Sequence, residues 1–201
     1  QGLHAVPANI FTVDHKVTAD ARTERNGHRG AVIWLTGLSG AGKSTLAMET
    51  ERRLMAEGLQ TYVLDGDNVR AGLNADLGFS PDDRAENIRR VSEVAALFAD
   101  AGMVVVTAFI SPYRADRERA RQAAGSAFHE IHVKADLATC EARDPKGLYR
   151  KARAGEIPEF TGISAPYEEP ETCELIVDTT EPTLDSSARE LVSYVMSVTK
   201  F

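Results

Sequence analysis

Residues 31–45 read Ala-Val-Ile-Trp-Leu-Thr-Gly-Leu-Ser-Gly-Ala-Gly-Lys-Ser-Thr, and the fold turns on them. The run from Ala31 to Thr36 is a short apolar stretch, as expected of a buried strand. Gly37 to Ser44 then fits GxxxxGKS, the spacing of a phosphate-binding loop. Next, Lys43–Glu57 carries Leu46, Ala47, Thr50, Leu54 and Met55 at helical spacing, with Gly58 as a stop. The bland alternative is a glycine-rich turn that merely joins a strand to a helix. The buried strand before the pattern and the amphipathic helix after it favour the phosphate-binding reading. In that reading the backbone of Gly37, Ser39, Gly40, Ala41 and Gly42 wraps an anion, and the helix start at Lys43, Ser44 and Thr45 adds its positive end. Lys43 reaches the β and γ phosphates of a nucleotide, and the Ser44 hydroxyl ligates Mg²⁺.

Further apolar runs at Thr61–Leu64, Met103–Phe109, Phe128–Val133 and Leu175–Val177 alternate with helical patterns. Those patterns cover Asp82–Ala101, a charged stretch after Ser111-Pro112 running to Ala124, and Ser186–Val198. The alternation predicts an α/β domain in three layers, a five-stranded parallel sheet flanked by helices, over residues 30–201. Residues 1–29 are polar and weakly patterned and read as an arm or linker docked on that body.

The 201 residues, 43% of them hydrophobic, suffice for one domain with a single substantial core. A formal charge of −7 argues against a general nucleic-acid or membrane-surface binder. Cys140 and Cys173 form no CxxC pair and read as buried thiols of a reducing cytoplasm. No stretch approaches the roughly 18 apolar residues of a membrane span, and the N-terminus lacks the layout of a secretory signal. Gln1 is not a natural start, so a trimmed chain or a part of a longer polypeptide is expected.

Phosphate binding leaves two classes, a switch GTPase or ATPase and a small-molecule kinase. The guanine-recognition motif NKxD is missing: Val133-Lys134-Ala135-Asp136 lacks the asparagine, and Asp144-Pro-Lys-Gly147 comes in the wrong order for the DxxG switch. The second strand ends instead in Leu64-Asp65-Gly66-Asp67-Asn68. Parallel strands deliver their carboxyl ends to the ligand crevice. Paired aspartates there suit a base for an acceptor hydroxyl and an outer anchor for Mg²⁺. Asp-Gly-Asp-Asn is also ordinary turn chemistry, but its place beside the phosphate loop favours the catalytic reading, with Asp65 or Asp67 as the base.

Seven motifs together carry a family resemblance. They are Gly37–Thr45, Leu64–Arg70, Gly78-Phe79-Ser80, Arg84–Arg90, Phe109–Arg114, Cys140–Tyr149 and Phe160–Ile163. In this order they resemble the adenylylsulfate kinases, P-loop kinases that phosphorylate the 3′-hydroxyl of adenosine 5′-phosphosulfate with Mg-ATP. Ala71 stands where relatives often carry a larger residue. The resemblance implies that Phe79 and Phe160 sandwich the acceptor's adenine, although either aromatic could equally plug a cluster beneath a loop. It implies acceptor contacts from Arg70, Arg84, Asn87, Ile88, Lys146 and Leu148, and packing of Arg143 on the ATP base. Arg84, Asn87 and Ile88 share one helix side, though a solvated face paired with Asp82, Asp83 and Glu86 is the plain alternative.

Arg143, Lys146, Arg150, Lys151 and Arg153 meet one acid, Asp144, a local reversal of sign in an acidic chain. They form either a solvated helix or a lid that neutralises the moving phosphoryl group. Ser111 follows the third strand, close to the expected γ-phosphate. It is read as lining the pocket and starting a helix, with phosphoserine chemistry the minor alternative. His129 and His132 would face opposite sides of a strand and make no metal site. The resemblance further implies a cytoplasmic homodimer, with fusion to or association with an ATP sulfurylase as an option. The competing readings are another small-molecule kinase and a silent regulatory domain; retention of Lys43, Ser44, Asp65 and Asp67 argues against silence.

Overall fold

Phe11, Val13 and residues 15–201 are described by a computed structural model; the rest of the expected N-terminal arm lies outside the described residues. Five strands, β1 (Ala31–Thr36), β2 (Thr61–Asp65), β3 (Val104–Ala108), β4 (Phe128–Lys134) and β5 (Leu175–Asp178), form one sheet. Their order is β2-β3-β1-β4-β5, and every pairing is parallel. This is the expected α/β, five-stranded parallel architecture, with each strand boundary within a residue of its apolar run.

Every residue of β1 is buried because the strand is central and both sheet faces are covered. Strand alternation splits it between two cores. Ala31, Ile33 and Leu35 pack with Leu46 and Leu54 of α2 (Lys43–Ala56) and with Leu191 and Val195 of α8 (Leu184–Thr199). Val32 and Trp34 pack on the other face with Val91 and Ala95 of α4 (Pro81–Asp100) and Ala120 of α5 (Arg114–Ala124). The three layers are thus α2/α8, sheet, and α4/α5.

Four short helices were not legible in the apolar pattern: α1 (Ala19–Asn26), α3 (Gly66–Arg70), α6 (Leu137–Arg143) and α7 (Leu148–Arg153). α1 buries no residue and is defined by its ends. The Thr18 hydroxyl accepts from Ala21 N–H, and Gly27 closes the helix at φ 72°. The segment after α1 touches the main body: Asn26 Nδ2 donates to Gly102 O at 3.1 Å, and Arg29 N–H donates to Thr199 O at 2.9 Å.

Two expectations need correction. Cys140 is buried, but Cys173 is only half-buried. α5 begins at Arg114 with Tyr113 as its cap residue, so Ser111 does not start the helix. His129 and His132 do face opposite ways, His129 bonding Tyr194 on α8 and His132 packing on Tyr167. Among the described residues no helix is long and apolar enough to cross a membrane.

Candidate active site

Parallel strands point their carboxyl ends at one edge of the sheet, so the turns after β1, β2 and β3 meet there. The turn after β1 is the loop Gly37–Gly42. Gly40, at φ 78°, lies against α6, and a Cβ there would come 2.8 Å from Cys140 O. Gly42, at φ 92°, has nothing among the described residues within 4 Å of such a Cβ. It precedes an α2 start with no side-chain cap. An uncapped helix N-terminus is a fitting seat for an anion. Ser39, Ala41 and Thr45 complete the loop and the first turn of α2.

Lys43 is buried and folds back onto its own loop, donating to Gly37 O at 2.9 Å and Leu38 O at 2.7 Å. Burial pushes its ammonium down to about 8, while Cys140 and Asp65 oppose the shift. A phosphate would replace those two carbonyls with a charged partner. Ser44 Oγ donates to Asp65 Oδ2 at 2.5 Å. The other carboxylate oxygen of Asp65 accepts from Asp67 N–H at 3.0 Å and caps α3. A serine hydroxyl touching a buried carboxylate beside a phosphate seat is a donor set that fits Mg²⁺. That ion takes few protein oxygens and fills its sphere with phosphate and water.

Asp65 and Asp67 are therefore differently placed. Asp65 is buried and fully engaged, whereas Asp67 is exposed and pairs with Lys146. That ion pair joins the segment 143–153 to the end of β2. α6 ends at Arg143, whose guanidinium bonds Thr179 O and, at 3.4 Å, Gly40 O. It thereby ties the loop after β5 to the phosphate loop. α7 starts at Leu148, half-buried against the α2/α8 core.

On the β3 side, Ser111 is buried at φ 39°, a left-handed conformation uncommon for a non-glycine residue. Three neighbours hold it there. Trp34 Nε1 donates to its hydroxyl at 3.1 Å, Arg117 donates to its carbonyl at 2.7 Å, and Thr36 Oγ1 donates to Ile110 O at 2.7 Å. Arg117 is itself fixed by Glu130 at 2.5 Å and by Glu168 O at 2.7 Å.

The two aromatics of the expected sandwich are connected through Arg84. Its guanidinium donates to Phe79 O at 2.9 Å, Thr161 Oγ1 at 2.9 Å and Glu159 O at 2.6 Å. Phe79 is 69% exposed, while Phe160 is 7% exposed and packs in the core under α2 and α8. Arg70 lies 4.4 Å over the Phe79 ring and donates to Leu77 O and Gly78 O. Asn87 is buried one turn along α4. Ile88 is buried in the α4/α5 core, and its carbonyl accepts from Ser92 Oγ.

The sequence assigned nothing to Tyr149, which links these parts. Its buried hydroxyl donates to Ser39 O at 2.8 Å, and its ring meets Phe160 edge-on at 5.0 Å. Burial raises its hydroxyl well above the ordinary tyrosine value. Trp34 and Tyr167 were likewise unassigned. Apolar bodies with one polar tip near a polar site are the available signal for all three.

A family model described as adenylylsulphate kinase matches residues 29–178. The chain is similar to the adenylyl-sulfate kinase of Bacillus licheniformis, 60% identical over 196 residues, covering 97% of this chain and 100% of that one. It is also similar to that of Shewanella amazonensis, 58% identical over 190 residues, covering 94% and 96%. Among solved structures, the Mycobacterium tuberculosis APS kinase CysC in complex with AMPPNP and APS superposes with a TM-score of 0.80. It is 50% identical and covers 84% of this chain and 98% of that one.

Proposed function

This chain belongs to the adenylylsulfate kinase family, and from that premise we propose that it moves the γ-phosphoryl group of ATP to the 3′-hydroxyl of adenosine 5′-phosphosulfate. The products are ADP and 3′-phosphoadenosine 5′-phosphosulfate. The observation that carries the phosphoryl-transfer reading is the 2.5 Å contact between Ser44 and Asp65, which joins the phosphate loop to the carboxyl end of β2. Mg²⁺ belongs at that contact, where it would screen the phosphate oxygens.

Each residue then has a role. Residues 37–45 seat the phosphates, and Lys43 leaves its two carbonyls for the β and γ groups. Asp65, held against Ser44, serves the metal side. Asp67, exposed and paired with Lys146, is the carboxylate with free reach to an acceptor hydroxyl, and it takes the proton. Arg84 sets the spacing of Phe79 and Phe160 for the adenine, Arg70 backs Phe79, and Asn87 donates to the acceptor. Lys146 and Leu148 close the lid from α7's start. Arg143 and the Thr179 loop flank the ATP base. Ser111 lines the floor in its strained conformation. The enzyme acts in the cytoplasm, with residues 30–201 as its catalytic domain, and as a homodimer. Tyr62 on edge strand β2, half exposed and edge-on to Phe98 at 5.7 Å, offers an apolar surface for a second copy.

The test is ADP release with Mg-ATP across an acceptor panel of adenosine 5′-phosphosulfate, adenosine 5′-monophosphate and gluconate. Turnover confined to the first supports the assignment. Turnover with another acceptor alone assigns a different small-molecule kinase, and none with any acceptor assigns a silent domain.

A further inference from the structure

Beside the acceptor site lies a buried amide to which the mechanism gives no role. Asn74 is fully buried in the turn between α3 and α4. Its backbone N–H donates to Val69 O at 3.0 Å, and its Nδ2 donates to Oδ1 of Asn87 at 2.9 Å. Its own Oδ1 has no partner among the described residues. The turn cannot easily move, because arginines clamp it at both ends. Arg70 holds Leu77 O and Gly78 O, while Arg90 holds Leu73 O and both carboxylate oxygens of Asp76.

Two facing carboxamides can pair in either sense. In the sense observed, the orphaned atom is a carbonyl oxygen. Reversing both amides would orphan the Asn74 NH₂ group at the same buried position. Buried N–H groups without partners are rarer and costlier than under-satisfied carbonyls. The pairing sense is therefore set by Asn74, and it turns the Asn87 carbonyl oxygen toward the buried turn. The N–H pair of Nδ2 lies on the opposite side of that carboxamide.

We propose that Asn74 is a positioning residue that holds the Asn87 carboxamide with its N–H groups free for the acceptor, making this point of the site a hydrogen-bond donor. It selects an atom with a lone pair, either a phosphate or sulfate oxygen or a ring nitrogen of the base, and disfavours a donor group. The inference rests on the reading that Asn87 contacts the acceptor. It adds that this contact has a fixed polarity and that a residue outside the site fixes it.

A double-mutant cycle tests both parts, with kcat and the KM of each substrate measured and a thermal melt recorded for each variant. Asn74→Leu keeps the volume and removes the donor. Asn74→Asp keeps the shape but presents only acceptors, which would draw the Asn87 N–H groups inward and turn its oxygen outward. Each change is expected to raise the acceptor KM by about fivefold or more, the equivalent of one hydrogen bond, and to leave the ATP KM within about twofold. In an Asn87→Ala background, Asn74→Leu should add nothing, since Asn74 acts through Asn87. If Asn87→Ala raises the acceptor KM but the Asn74 variants do not, or if the effects multiply in the double variant, the positioning role is wrong. If Asn87→Ala itself leaves the acceptor KM unchanged, the underlying contact is wrong and the inference falls with it.

Discussion

Lys43 gives the prediction with the most internal structure. Its ammonium is buried against two carbonyls of its own loop, and burial brings it down to about 8. The free enzyme therefore begins to lose this charge within the range of an ordinary assay. Between pH 7 and pH 9 the protonated fraction falls from about nine-tenths to about one-tenth, whereas a lysine near its usual 10.4 would stay charged. Because kcat/KM reports the free enzyme, kcat/KM for ATP should fall about tenfold across that interval. Bound phosphates favour the charged form, so kcat should fall only at higher pH. The folding linkage has the opposite sense. The folded pKa lies below the unfolded one, so the unfolded chain binds more protons between about 8 and 10.5. Lys43's share of stability therefore rises with pH through that window, and the cost of burying its charge is present in full below it. Stopped-time ADP assays in a constant-ionic-strength buffer series measure the first effect, with Lys43→Arg as the control that stays charged. A wild-type profile for kcat/KM that is flat to pH 10 would refute the reasoning.

Three other perturbations test the site's wiring. Tyr149→Phe keeps the ring against Phe160 but removes the donor to Ser39 O; it should cost about 1–2 kcal/mol and lower Tm by a few degrees, about 2–4 °C per kcal/mol, with both substrate KM values raised, and an unchanged melt argues against the link. Arg84→Ala frees the Phe79 and Glu159–Thr161 segments together, so the acceptor KM should rise about tenfold or more, from loss of several charge-assisted bonds, while ATP binding measured by titration stays constant. Asp65→Asn should raise the Mg²⁺ concentration needed for half-maximal rate, and Asp67→Asn should slow turnover about a hundredfold, the scale of general-base catalysis, without changing that requirement. The opposite pattern would exchange the two roles.

The large elements were legible because burial is written into them. Two-sided burial makes β1 a continuous apolar run, and α2, α4 and α8 show apolar residues at helical spacing. α1, α3, α6 and α7 were not, because they are five to eight residues long and take their stability from caps or from tertiary contacts. The phosphate loop was legible because glycine spacing is itself the structural requirement. The acceptor-side roles were read through family resemblance alone. Arg84 and Phe79 are five residues apart, but Phe160 lies far along the chain, and what links its segment to them is the Arg84 guanidinium, bonded to Phe79 O, Glu159 O and Thr161 Oγ1. Ser111 shows the limit in the other direction. A serine before proline looks like a helix start, yet bonds from Trp34, Thr36 and Arg117 hold this segment three residues upstream of one, in a conformation no local pattern announces.

The central claim, transfer to one particular hydroxyl, is tested most directly by following the label from [γ-³²P]ATP. With adenosine 5′-phosphosulfate and Mg²⁺, the label should appear in a single nucleotide product that a 3′-nucleotidase strips of its radioactivity. The 3′-deoxy analogue should accept none. Label on any other position, or transfer to the 3′-deoxy analogue, would contradict the assignment.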